Sequence, residues 1–186
     1  MASQPRERLI QSAIVLVREH GVQGTGLAEL LSHSKTARGS IYQHFPGGKT
    51  ELIEEATREA GRQISALLES LAAGRQSPSE VIDALVGWWQ KALEASGFTL
   101  GCPIGAAALA DAPEVRGTAA GVFSIWRQQL ADALTNSGLD RDRAAPLAGF
   151  VVSAFEGAIV QSRAMRSVEP FDEVRHQLGE LLRAYG

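Results

Sequence analysis

The chain has 186 residues, 45% of them hydrophobic but only 6% aromatic, so Leu, Val, Ile and Ala must fill the core of one domain or of a small head on a larger body. Its net charge of −3 conceals an uneven division: residues 1–50 hold Arg6, Arg8, Arg18, Lys35, Arg38 and Lys49 against Glu7, Glu19 and Glu29, leaving twelve basic and eighteen acidic residues beyond. A basic head on an acidic body fits a partner that presents phosphates at one end only, and a lone cysteine, Cys102, excludes an intramolecular disulfide.

Helical periodicity dominates and no period-2 strand pattern stands out. Pro5 with Ile10, Ala13, Ile14 and Val17 predicts a one-faced helix that Gly21 ends. Thr25 is placed to cap a short helix bearing Leu27, Leu30 and Leu31, and a third short helix is expected over 37–45. Pro46-Gly47-Gly48 breaks the chain. A long helix then starts at Lys49, with Glu51, Glu54 and Glu55 in its first turns.

Ser77-Pro78-Ser79-Glu80 carries the pattern of a capping box with proline at the first helical position, and it opens a helix with Trp88 and Trp89. Gly101-Cys102-Pro103 introduces a short Ala-rich helix, with Cys102 placed at its N-terminus. A longer helix follows Pro113, bearing Phe123 and Trp126, and Asn136-Ser137-Gly138 ends it. The most apolar segment is about 141–166, and a last helix runs from Pro170. The reading is all-α, with about nine helices. The N-terminus lacks the apolar run of a signal peptide, and no window approaches 18 uninterrupted apolar residues, so a cytoplasmic protein with no membrane span is expected.

Function concentrates in 25–52. A helix that enters a DNA groove needs small residues where its backbone approaches and donors that reach phosphates or base edges. The third helix offers Arg38, Gly39, Ser40, Tyr42 and His44 within two turns. Lys49 stands where a cation opposes the helix dipole by ~0.3–1 kcal/mol, a position that a docked phosphate would make favourable. The same residues also suit three packed helices with Tyr42 in the core and a solvated lysine. The histidines show no ligand spacing, and no phosphate loop, nucleophile elbow or metal motif occurs, so neither a metal nor a cofactor is expected.

Arg38-Gly39-Ser40-Ile41-Tyr42-x-His44-Phe45-Pro46-Gly47-Gly48-Lys49-x-Glu51-Leu52 resembles the helix-turn-helix signature of TetR-type transcriptional regulators. With Thr25-Gly26-Leu27 upstream and Gly101-Cys102-Pro103-Ile104-Gly105 in the body, the chain is similar to the LmrA/YxaF branch. Phe155-Glu156-Gly157-Ala158 and Ser162-Arg163-Ala164 resemble the family's penultimate helix. The resemblance implies a DNA-binding domain over 1–48 and an effector-binding and dimerisation domain over 49–186. It assigns phosphate contacts to Thr25, Tyr42 and Lys49, and groove contacts to Arg38, Gly39, Ser40 and His44. Lys35 departs from the pattern, standing where the family usually has glycine. A left-handed conformation there strains a lysine by about 1 kcal/mol or more, although the side chain can add a phosphate contact.

The implied molecule is a homodimeric repressor on palindromic double-stranded operator DNA, released by a small apolar or aromatic effector. Candidate pocket walls are Trp88, Trp89, Leu100, Cys102, Leu109, Phe123, Trp126 and Phe155, each of which also suits plain core. Ala145, Gly149, Ser153 and Gly157 recur every four positions and form a small-residue stripe that permits close approach of a helix, either from a second subunit or from the same one. Glu156 is expected to be paired at that interface. Two other functions stay open: an enzyme using Cys102 or a carboxylate in the body cavity, and a helical interaction module that binds protein rather than DNA.

Overall fold

The computed structural model describes residues 4–75 and 77–185, which contain nine α-helices and no strand among them. They are α1 (Pro5–Gly24), α2 (Leu27–Ser34), α3 (Arg38–His44), α4 (Gly48–Ala72), α5 (Pro78–Ala95), α6 (Pro103–Ala108), α7 (Pro113–Asn136), α8 (Arg141–Met165) and α9 (Glu169–Tyr185). They divide into two compact units. The first takes in the chain up to Gln63 together with Cys102–Val122; the second takes in Ile64–Gly101 and the chain from Phe123 onward.

In the first unit α1 buries Leu9, Ile10, Ala13, Ile14 and Val17, the face its spacing predicts. Gly21 adopts φ 73° and ψ 174°, a conformation open to glycine, and breaks the helical path there. Thr25 does not cap α2. Its hydroxyl donates to the Gly21 carbonyl at 2.7 Å, closing the end of α1, and Gly26 is the residue that precedes α2. Leu30, Ile41, Phe45, Leu52 and Ile53 join Leu9 in a fully enclosed centre. α6 adds Ile104 to this core, and Cys102 caps it by accepting from the Gly105 amide at 3.4 Å.

In the second unit the expected capping box at α5 is formed: Ser77 Oγ accepts from the Glu80 amide, and the Glu80 carboxylate accepts from the Ser77 amide, each at 3.3 Å. Trp89 stacks on Phe171 of α9 at 6.5 Å, and Phe155 of α8 meets Phe171 edge-on at 5.5 Å. Asp83 and Gln90 of α5 hold Arg175 and Asp172 of α9. α8 is long and apolar enough to cross a membrane by length and composition, which corrects the expectation that no segment qualifies. Glu156 is the one charged residue between Ala144 and Ser162, so few charges interrupt it. Only 39% of its most apolar stretch is buried within the chain.

Candidate nucleic-acid interface

α3 is amphipathic in a way that fixes its orientation. Ile41 and Phe45 are fully buried, four residues apart, and anchor the helix. Arg38, Gly39, Tyr42 and Gln43 face outward, and Ser40 and His44 flank them half-buried. Tyr42 is 55% exposed, which rules out its being core. Gln43 was absent from the sequence-derived set. It lies four positions after Gly39, so the helical period of α3 was the signal that could have found it.

Gly39 leaves open space beside α3. A Cβ at Gly39 meets no atom within 4 Å, and its φ is not in the left-handed region. Glycine in a helix interior costs about 1 kcal/mol relative to alanine, and the outward face of α3 keeps its backbone bare at this position.

Lys35 does adopt the left-handed conformation, at φ 53° and ψ 45°. Its amide bonds the Ser32 carbonyl at 3.3 Å, and the Thr36 amide bonds the Leu31 carbonyl at 3.2 Å. This is the Schellman pattern that closes a helix C-terminus by satisfying its last carbonyls. A 2.7 Å bond between the Ser34 and Thr36 hydroxyls reinforces it. The left-handed turn forms with a lysine in it, and the lysine side chain is exposed.

The start of α4 is organised by two side chains. Glu51 Oε2 accepts from the Gly47 amide at 2.7 Å, and Lys49 Nζ donates to the Val22 carbonyl at 2.9 Å. Burial lowers the Lys49 ammonium from its ordinary value. A Cβ placed on Gly48 would lie 3.5 Å from the Tyr42 ring, so Tyr42 stands beside the first turn of α4. Arg6 lies over Phe45, 5.3 Å from the ring centre, and bonds Glu55 at 2.8 Å, which ties α1 to both α3 and α4. Thr25, assigned a phosphate contact by resemblance, has 0% exposure and spends its hydroxyl on Gly21.

The predicted pocket residues separate into two groups. Trp88, Trp89, Trp126 and Phe155 line one cavity of about 50 Å³ in the second unit, together with aliphatic residues of α4, α5, α7 and α8 and with Glu156. Leu100, Cys102, Leu109 and Phe123 do not line it. Cys102 is a buried thiol of the first unit, and Leu109, in the same unit, is 81% exposed. Phe123 packs edge-on against Trp126 at 5.7 Å, behind the wall. A larger open groove of about 770 Å³ runs beside α5 and α9, where Arg175 already pairs with Asp83 and Asp172.

The small-residue stripe of α8 is likewise mixed. An added Cβ on Gly149 would lie 2.7 Å from the guanidinium of Arg127 of α7, the flexible end of a side chain. Ser153 is exposed, and an added Cβ on Gly157 meets nothing within 4 Å.

Residues 9–56 match the tetR family of bacterial regulatory proteins, and residues 78–177 match the C-terminal domain of LmrA/YxaF-like transcriptional regulators. The chain is 37% identical over 188 residues to the uncharacterized HTH-type transcriptional regulator Rv0196 of Mycobacterium tuberculosis, covering 97% of this chain and 95% of that protein. Its fold is similar to that of regulatory protein TetR from Rhodobacter sphaeroides, with a TM-score of 0.88 at 20% identity over 96% of this chain and 98% of the other. It is also similar to a cysteine mutant of the TetR family regulator CifR complexed with 26-bp operator DNA, with a TM-score of 0.78 at 23% identity over 97% and 96% of the two chains. An exposed, glycine-bearing third helix on a buried anchor fits this kinship, and the chain belongs to the TetR family of transcriptional regulators, in its LmrA/YxaF-like branch, as an operator-binding protein rather than an enzyme.

Proposed function

We propose that the protein is a cytoplasmic, homodimeric repressor that places α3 of each subunit in a major groove of a palindromic operator and is released by a small apolar or aromatic effector. DNA binding resides in residues 1–48, and effector binding and dimerisation in 49–186. The observation that carries the reading is the outward face of α3, where Arg38, Tyr42 and Gln43 surround a glycine that no intramolecular contact explains. Arg38 and Gln43 are side chains able to read base edges, and Tyr42 and Lys35 suit phosphates. Lys49 and Thr25 act as positioning residues that fix the turn onto which α3 and α4 are built.

The second subunit is proposed to cover α8. Phe150 and Val160 are 54% and 67% exposed on that helix, and Ser153 and Gly157 lie between them. Exposed apolar surface of this kind is stabilised by a partner of the same chemistry. Each of two half-sites would lie about one or more DNA turns, ~34–36 Å, apart.

The effector is proposed to enter the cavity walled by Trp88, Trp89, Trp126 and Phe155. At about 50 Å³ it is far below the ~300–1,000 Å³ of typical ligand sites. Binding therefore selects an expanded arrangement of α4, α5, α7 and α8, and the population shifts with the ligand's differential affinity. α4 supplies Leu67 and Leu68 to that wall and begins at Gly48, so one helix links the cavity to the turn that bears α3. Electrophoretic titration of operator fragments selected from random DNA tests the reading. Sequence-specific retention that an aromatic ligand abolishes supports it, and retention of no fragment at moderate salt contradicts it.

A further inference from the structure

We infer that Gln43 reads an adenine in the major groove of each operator half-site and sets the sequence preference at that position. This assignment rests on the DNA-binding reading given above and adds the base pair that the site requires. Gln43 stands two residues after Ile41 and two before Phe45, the fully buried anchors of α3. At about 100° per residue it lies about 200° round the helix from each, and so points directly away from the core. Gln43 is exposed, and its amide has no hydrogen-bond partner among the described residues.

The other outward residues of α3 fall into pairs four apart around this axis. Arg38 and Tyr42 form one flank, Ser40 and His44 the other, and Gly39 lies one turn before Gln43 on the ridge between them. A helix seated in the major groove turns its outermost ridge toward the base edges and its flanks toward the phosphates on either side. Gly39 has no side chain, so Gln43 is the one side chain on that ridge. A Cβ at Gly39 would meet nothing within 4 Å, and the bare backbone there lets the helix approach the bases closely. The amide of glutamine offers a donor and an acceptor side by side. Adenine is the base whose major-groove edge answers both, with N7 accepting and N6 donating. Guanine presents two acceptors there, cytosine a donor, and thymine an acceptor beside a methyl group.

Selection from random DNA with the natural chain, Gln43→Ala and Gln43→Arg tests the assignment, with circular dichroism confirming that both variants fold. The natural chain is expected to require A·T at one position of each half-site, losing roughly tenfold or more in affinity when G·C replaces it. Gln43→Ala should lose that preference and keep the rest of the motif, with an unchanged salt slope because no phosphate contact is given up. Gln43→Arg should transfer the preference to guanine at the same position. An unchanged motif in Gln43→Ala, or a weakening equal across all sequences, overturns the role of Gln43 and leaves the DNA-binding reading standing. Failure of the natural chain to select any sequence overturns that reading as well.

Discussion

Lys49 Nζ donates a 2.9 Å hydrogen bond to the Val22 carbonyl, 27 residues earlier in the chain. The bond joins the first turn of α4 to the end of α1, beyond the break at Gly21. It gives the lysine at a helix N-terminus a structural reason that does not depend on DNA.

Lys49→Met removes a charged donor from a part-buried carbonyl, and such losses cost about 1–3 kcal/mol. The variant is expected to unfold at lower urea concentration by roughly 1–2 kcal/mol of stability, while the dependence of DNA affinity on salt stays within experimental error. A salt slope shallower by about one unit would instead make Lys49 a phosphate ligand in its own right.

Lys35→Gly relieves the left-handed strain at φ 53°. Glycine there is expected to raise stability by up to about 1 kcal/mol, read as a higher urea midpoint. The same variant should flatten the salt slope of DNA binding by about one charge, because the exposed ammonium is lost.

Glu55 links Arg6 of α1 to Arg58 of α4. Burial alone raises its carboxyl, but the bonds from Arg6 and Arg58 outweigh it and hold the group below the ordinary carboxylate value. A carboxyl depressed in this way adds stability above its unfolded-chain value of about 4.3 and loses it as pH falls through the folded one. Urea midpoints measured from pH 7 to pH 3 should therefore fall more steeply for the natural chain than for Glu55→Gln.

Much of this was legible in the sequence because the signals are local. Ser77, Pro78 and Glu80 specify a capping box within four residues, and the apolar spacing of α1 specifies its buried face. Two features depend on packing rather than on residue type and are not legible. Thr25 turns back to Gly21 rather than forward to α2, because a buried hydroxyl needs a nearby carbonyl. Leu109 and Cys102 suited a cavity by type, yet the α6 segment packs with the residues of the first unit. The small volume of the tryptophan-lined cavity is a property of packing that composition does not carry.

Phe150→Asp combined with Val160→Asp puts two charges on the exposed face of α8. Sedimentation velocity should show a dimer for the natural chain and a monomer for the double variant, with the helical circular dichroism of the two superimposable. A dimeric double variant would move the subunit interface away from α8.

The central claim is that the outward face of α3 reads DNA sequence, and selection from random DNA with the natural chain and with Arg38→Ala tests it most directly. The account predicts an inverted repeat for the natural chain and, for Arg38→Ala, a preference relaxed at one position in each half-site, worth about 1–3 kcal/mol there. An identical motif bound with identical affinity by both proteins would contradict it.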